Sequence, residues 1–289
     1  MRAFTFTLVA MLVAAGSRLQ SPVGASTHLV GVDQLPDLLS RGSAYVLQFE
    51  QQFSVGLSDE HYVQAVKSPR PRKRTLDSEM LYVWLAGDEA WLATRNVLKV
   101  DGKAVKGSQQ RLDRLLDSGA PIDVAHLRRL RDESARFNIG TLHRNFNDPL
   151  FPLRFLEPDA QPRFSFSEAG DESLDHVATH KVRFEERTHP TIIQDRGADL
   201  LSSGLMWIAD DGAVWRTQLD VESHGRGGPA FGSIVVQYRR DARVAMLVPI
   251  QMNETYAAGF EEIECEATYS NFRHFETSAR IIQEEGGVR

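Results

Sequence analysis

The chain has 289 residues, a formal charge of -6 and an apolar fraction of 42%, with 15 Phe, 6 Tyr and 4 Trp. That composition lies in the globular range, away from intrinsic disorder, and the mild acidity argues against a nucleic-acid binder. Its single cysteine, Cys265, excludes an intramolecular disulfide, so stability has to come from packing.

The first 25 residues set the expected compartment. Arg2 forms a short positive region, Ala3 to Gly16 runs without a charge, and Val23-Gly24-Ala25 supplies a small-residue cleavage site before Ser26. The uncharged run is shorter than the roughly 20 residues needed to cross a bilayer, so a retained anchor is the weaker reading. A signal peptide cleaved near Ala25 is expected, and with it a periplasmic or secreted location. Cleavage removes Arg2 and Arg18 and no acid, taking the charge from -6 to -8 over a mature chain of 264 residues. No cysteine stands near the cleavage site, so lipid attachment there is not expected.

Residues 26–277 read as one α+β domain, helical in period before about residue 160 and strand-like after it; 278–289 read as a disordered tail. Asp33 is the expected N-cap of a helix whose Leu35, Leu38, Leu39, Tyr45, Val46 and Phe49 share one stripe, with Gly42 weakening its middle. Ser54 to Val66 follow. In Lys67 to Arg74, five basic residues and two prolines in eight positions argue for a loop. Thr75 to Leu85 and Trp91 to Val100 read as aromatic strands, the second entering a type I′ turn at Asp101-Gly102. Another such turn is expected at Asp211-Gly212.

A helical insert near 109–157 separates the strand regions. Pro121 suits a first helical position, and Leu127, Leu130, Ser134 and Phe137 recur at helical intervals before Asn138-Ile139-Gly140, opposite Arg128, Arg129, Arg131 and Arg136. Asp148-Pro149 then opens a second helix, Leu150-Phe151-Pro152-Leu153-Arg154-Phe155-Leu156, apolar nearly all round. Strands are expected at Arg163 to Ser167, Val177 to Glu186, Thr191 to Ile193, Gly204 to Ala209, Ala213 to Glu222, Ser233 to Arg239, Val244 to Met252 and Glu262 to Phe275. In the last, Ile263, Cys265, Ala267 and Tyr269 oppose Glu262, Glu264, Glu266, Thr268 and Ser270, giving one dry and one wet face.

No motif fixes a chemistry, and no catalytic residue, metal or cofactor is expected. His176 and His180 stand four apart, but Val177 replaces the metalloprotease Glu, and on a strand the two lie about 13 Å apart. His143, His189, His224 and His274 lack partners at ligand spacing. Ser203 and Ser233 stand outside a Gly-x-Ser-x-Gly elbow, and Gly225 to Gly228 lacks the Lys-Ser/Thr ending of a phosphate loop. The acid pairs Glu185-Glu186, Asp210-Asp211 and Glu261-Glu262 point to opposite faces of strands or lie at their ends. Cys265 reads as a buried structural thiol, and Asn253-Glu254-Thr255 matches a glycosylation acceptor. The Lys67 to Arg74 segment admits three readings: a solvated loop, a docking site for anionic membrane, or an exposed cleavage site.

The segment Leu150 to Leu156 is the expected functional element. A curved sheet presenting Trp84, Trp91, Trp207 and Trp215 inward would be closed by it as by a lid, and an interior left unfilled would hold an acyl chain. The expected lining is Leu150, Phe151, Leu153, Phe155, Leu156, Trp84 and Trp207. Alternatively these helices complete a solid core.

An amino-terminal helix, paired aromatic strands, a helical insert and a long antiparallel meander resemble, in that order, the lipoprotein-carrier (LolA/LppX-like) half-barrel superfamily. Val100-Asp101-Gly102-Lys103-Ala104-Val105, Ser134-Ala135-Arg136-Phe137-Asn138-Ile139-Gly140 and Ala267-Thr268-Tyr269-Ser270-Asn271-Phe272-Arg273 are similar to stretches of uncharacterised secreted acidobacterial proteins. The carrier resemblance implies a curved antiparallel half-barrel with helices across its concave face and an apolar interior that shelters lipid. The resulting expectation is a non-catalytic envelope protein binding a lipid or a lipidated protein. An envelope scaffold without internal ligand and a hydrolase are the alternatives.

Overall fold

The computed structural model describes residues 34–274, except 54, 86–89, 109, 111–123, 143, 145, 196 and 224–227. The expected signal peptide, the Asp33 cap, Pro121, His143, His224 and the tail lie outside the described residues. Helix α1 spans Leu35–Gln52, with Pro36 in its first turn. Strands β1 (Val55–Ser68), β2 (Arg72–Leu85), β3 (Ala90–Val100) and β4 (Lys103–Ala104) follow, then helix α2 (Val124–Ala135) and a 3-10 helix, Phe151–Leu156. The rest is strand: β5 (Phe164–Leu174), β6 (Val177–Glu186), β7 (Gln194–Asp195), β8 (Ala198–Asp199), β9 (Leu201–Ala209), β10 (Val214–Ser223), β11 (Ala230–Asp241), β12 (Met246–Ala258) and β13 (Glu261–His274).

Eleven strands form one unclosed antiparallel sheet in the order β4-β3-β2-β1-β13-β12-β11-β10-β9-β6-β5, while β7 and β8 pair separately. The α+β half-barrel expected from the sequence is the fold observed. β13 closes the chain back onto β1 with Tyr62 opposite Ala267. Its alternation holds residue by residue: Ile263, Cys265, Ala267 and Tyr269 are buried in the core, and Glu262, Glu264, Glu266 and Thr268 are exposed.

Aromatic side chains fasten the helices to the concave face. Phe53, at the end of α1, has its ring 5.7 Å from Tyr82 on β2 and 6.2 Å from Phe272 on β13. Phe155 of the 3-10 helix lies 4.7 Å from Phe164 and 5.3 Å from Phe184, on β5 and β6. The same inner layer therefore touches strands near both ends of the sheet, which is the curl of a half-barrel. Gly42 faces the 3-10 helix, and a Cβ there would stand in ordinary contact with Leu156 at 3.4 Å, so the approach of α1 does not depend on the glycine.

Several local expectations are corrected. Lys67 to Arg74 is mostly strand, because the two prolines are confined to the turn Pro69-Arg70-Pro71 while the flanking basic residues continue β1 and β2. The Asp101-Gly102 turn has φ of 48° and 75°, as type I′ requires. At Asp211-Gly212 only the glycine is left-handed, at φ 87°, and Ala209 and Ala213 pair across a three-residue loop. Gly212 also faces α1, where a Cβ would meet the Arg41 carbonyl at 2.3 Å. Leu150 to Leu156 is a 3-10 helix rather than an α-helix. Thr191 to Ile193 is a turn in which the Thr191 hydroxyl donates to the Ile193 carbonyl at 2.7 Å.

Candidate functional site

The expected lid side chains occupy the filled part of the interior. Leu150, Leu153, Phe155 and Leu156 are buried, Phe151 is half-buried, and Phe151 meets Phe155 edge-on at 5.6 Å. Trp207 does not join them. It lies on the opposite face of β9 from the core residues Met206 and Ile208, donates from Nε1 to Glu172 at 2.8 Å and carries the Arg216 guanidinium over its ring. Successive strand residues point to opposite faces, so with Met206 and Ile208 inward Trp207 has to face out. Trp84 is opposite Trp91 in the β2–β3 ladder; its side chain lies outside the described part.

The part of the interior under β1, β2 and β3 has the opposite chemistry. The inward positions of β1 include Ser58, Glu60, Tyr62 and Gln64, all buried, ahead of Val66. Such a row on a dry face requires partners, since an unpaired buried charge or polar group costs several kcal/mol. Arg95 on β3 binds Glu60 through two nitrogens, Nη2 at 2.7 Å, and lies over the Tyr62 ring. Glu254 on β12 accepts from the hydroxyls of Tyr62 and Tyr256. Burial raises the Glu254 carboxyl above its usual range.

The loop after α2 delivers a second guanidinium. Arg144 is 2% exposed and donates to Gln64 Oε1 at 2.7 Å, Ile139 O at 2.9 Å, Tyr62 Oη at 3.2 Å and Cys265 Sγ at 2.9 Å. Among the described residues its Nε finds no acceptor, and none of its four hydrogen-bond acceptors is a carboxylate. Cys265 is the buried thiol expected, pushed up to about 11 by burial.

Arg144 and Arg95 border a cavity of about 320 Å³. Its sheet wall is Met80, Ala93 and Arg95; α2 contributes Arg131, Asp132, Ser134 and Ala135; the following loop contributes Asn138, Asn147 and Asp148. That volume is at the lower end of small-molecule sites, about 300–1,000 Å³. Asp148 caps the next segment by accepting from the Leu150 N–H at 2.8 Å, and burial lifts its carboxyl to about 6. The Asn138 side-chain Oδ1, like Arg144 Nε, has no partner among the described residues. The cavity is thus bordered by two guanidinium groups, by Asn138 and by a carboxyl that burial raises to about 6.

Sequence reasoning missed this site because Glu60, Tyr62 and Gln64 meet Arg95 and Arg144 across long separations. A signal was present in Glu254, an acid between Met252 and Tyr256 on the inward parity of β12. Of the histidines considered earlier, His180 bridges Asp171 at 2.9 Å and Asp210 at 2.8 Å at the rim, and His189 binds Asp199 at 2.7 Å. Among the described residues no group of three or more His, Cys, Asp or Glu is placed to hold a metal, and no helix is long and apolar enough to cross a membrane.

No protein-family model matches the chain, and no curated protein is similar to it. Among solved structures it is similar to a Vibrio parahaemolyticus domain assigned to outer-membrane lipoprotein sorting, at TM-score 0.41 and 10% identity over 85% of this chain and 95% of that one. It is also similar to a DUF1329 family protein from Desulfovibrio piger, at TM-score 0.37 and 11% identity over 82% and 92% of the two chains. A LolA superfamily protein from Nitrosomonas europaea aligns at TM-score 0.33 and 10% identity over 86% and 95%.

Proposed function

We propose that this chain is an exported, non-catalytic envelope protein that binds a hydrophobic ligand, a lipid or a lipidated protein, reversibly inside its half-barrel. The observation that carries this reading is the cavity of about 320 Å³ beneath α2, bordered by Arg95, Arg144 and Asn138. A ligand fitting it is amphiphilic rather than wholly apolar: an oxygen-bearing head takes the Arg144 and Asn138 groups, and the tail runs past Asp148 toward Leu150 and Leu153. Burial of the tail contributes about 0.8 kcal/mol per methylene before the costs of ordering and association. The 3-10 helix is the element that yields, exchanging its contacts with Phe164 and Phe184 for contacts with the chain.

Native mass spectrometry of protein exported and purified without detergent, followed by lipid extraction, tests this. Near-stoichiometric amphiphile is expected. A clean apo mass, unchanged after incubation with lysophospholipid and fatty acid, overturns it. The complete packing of Leu150, Leu153, Phe155 and Leu156 favours a second reading, an envelope scaffold without internal ligand. An apo mass together with a protein partner recovered by crosslinking would support that instead.

A further inference from the structure

Phe260 is 88% exposed, against 45% for Leu201, the next most exposed large apolar side chain among the described residues. It stands in the two-residue turn Gly259-Phe260 between β12 and β13. The backbone demand of that turn falls on Gly259, at φ 58°, so the ring answers no need of the fold. Because β13 pairs with β1, Ser68 opposite Glu262, this tip lies beside the Pro69-Arg70-Pro71 turn joining β1 to β2. The Ser68 hydroxyl donates to the Phe260 carbonyl at 2.7 Å and ties the two tips together.

The joint tip is rich in exposed cations. Lys67, Arg70, Arg72 and Lys73 are all exposed. Lys67 is paired with Glu264 at 2.6 Å, and Arg72 acts on Glu261, whose carboxylate is already held by Thr141 at 2.7 and 2.8 Å. Glu262 is exposed nearby. Arg70 and Lys73 form no ion pair with a described carboxylate. An unsupported aromatic ring flanked by two prolines and unpaired cations matches the boundary of an anionic bilayer, where the ring enters the interface and the cations remain among the head groups.

We propose that this end of the sheet docks the protein on anionic lipid bilayers, with Phe260 as the inserted residue and Arg70 and Lys73 as the charge contacts. The occupant is a membrane rather than a nucleic acid, because a chain of net charge -6 offers only one exposed ring here and no stacking series. None of Phe260, Arg70 and Lys73 lines the cavity, so docking and ligand uptake fail independently.

The test is co-sedimentation of the mature chain with phosphatidylcholine vesicles, with and without phosphatidylglycerol. Binding is expected only with phosphatidylglycerol. It should fall at least about tenfold in Phe260→Ser and in the double variant Arg70→Glu with Lys73→Glu, and weaken with salt for the wild type. Thermal midpoints equal to wild type establish that the variants are folded. Equal binding to both vesicle types, or phosphatidylglycerol binding retained in both folded variants, overturns the proposal. So does capture by a soluble polyanion that ignores Phe260→Ser.

Discussion

On the β5–β6 side of the interior, Phe155, Phe164 and Phe184 bring their rings within 4.7 to 5.9 Å of one another, and the buried Glu186 at the end of β6 is paired with Arg163. On the β1–β3 side, the equivalent inward layer is Ser58, Glu60, Tyr62 and Gln64, answered by Arg95 and Arg144 and bordered by a cavity. One side is held by packing, which tolerates no vacancy cheaply. The other is held by hydrogen bonds with fixed directions, and directional partners cannot close every gap. The cavity of about 320 Å³ borders the polar side of the core.

Breaking the polar side should cost most. Glu60→Ala leaves Arg95 buried without its carboxylate and is expected to destabilise by roughly 3–5 kcal/mol, while Glu60→Met with Arg95→Met restores most of the loss; denaturant melts of the three proteins decide this. On the packed side, Leu153→Ala is expected to cost about 2–5 kcal/mol by leaving a cavity, with no apolar double variant needed to rescue a stranded charge. If Leu153→Ala proved neutral, the packed side would not be the rigid partner in the comparison.

A third variant sharpens the contrast through pH. The Asp148 carboxyl is lifted to about 6 by burial, so the folded state holds its proton more tightly than the unfolded chain. Between the ordinary carboxylate range and 6, that residue adds stability as pH falls and withdraws it as pH rises. Asp148→Asn should therefore melt above the wild type at pH 7, with the gap shrinking as pH drops toward 4. A gap independent of pH contradicts the burial argument. The smallest effect is expected at the surface: Phe260→Ser should change stability by no more than about 0.5 kcal/mol.

Much of this fold was legible in the sequence. The last strand could be read because its dry and wet faces alternate without exception from Glu262 to Ser270, and the two Asp-Gly turns marked true hairpins. β1 could not be read in the same way, because its inward row is polar and acquires partners only when β3, β12 and the loop after α2 arrive. The apolar run Leu150 to Leu156 was correctly located in the interior, but hydrophobicity alone does not distinguish a lid from a plug. Trp207 was expected on the inner face with the other tryptophans, whereas strand parity and a partner in Glu172 turn it outward. Basic residues at Lys67 and Arg72 to Arg74 were taken for loop because charge and proline cluster there, and only the three turn residues leave the strands.

The central claim is that the cavity between β2, β3 and α2 receives the ligand. Ala135 lies on its α2 wall, and Ala135→Trp would fill it against Arg95 and Arg144 while leaving the packed aromatic side untouched. Calorimetric titration of wild type and Ala135→Trp with lysophosphatidylglycerol is the direct measurement, each protein first verified as folded by its thermal midpoint. Saturable binding by the wild type that is lost in Ala135→Trp is the predicted result. Binding of equal strength in both, or none in the wild type, would contradict the account.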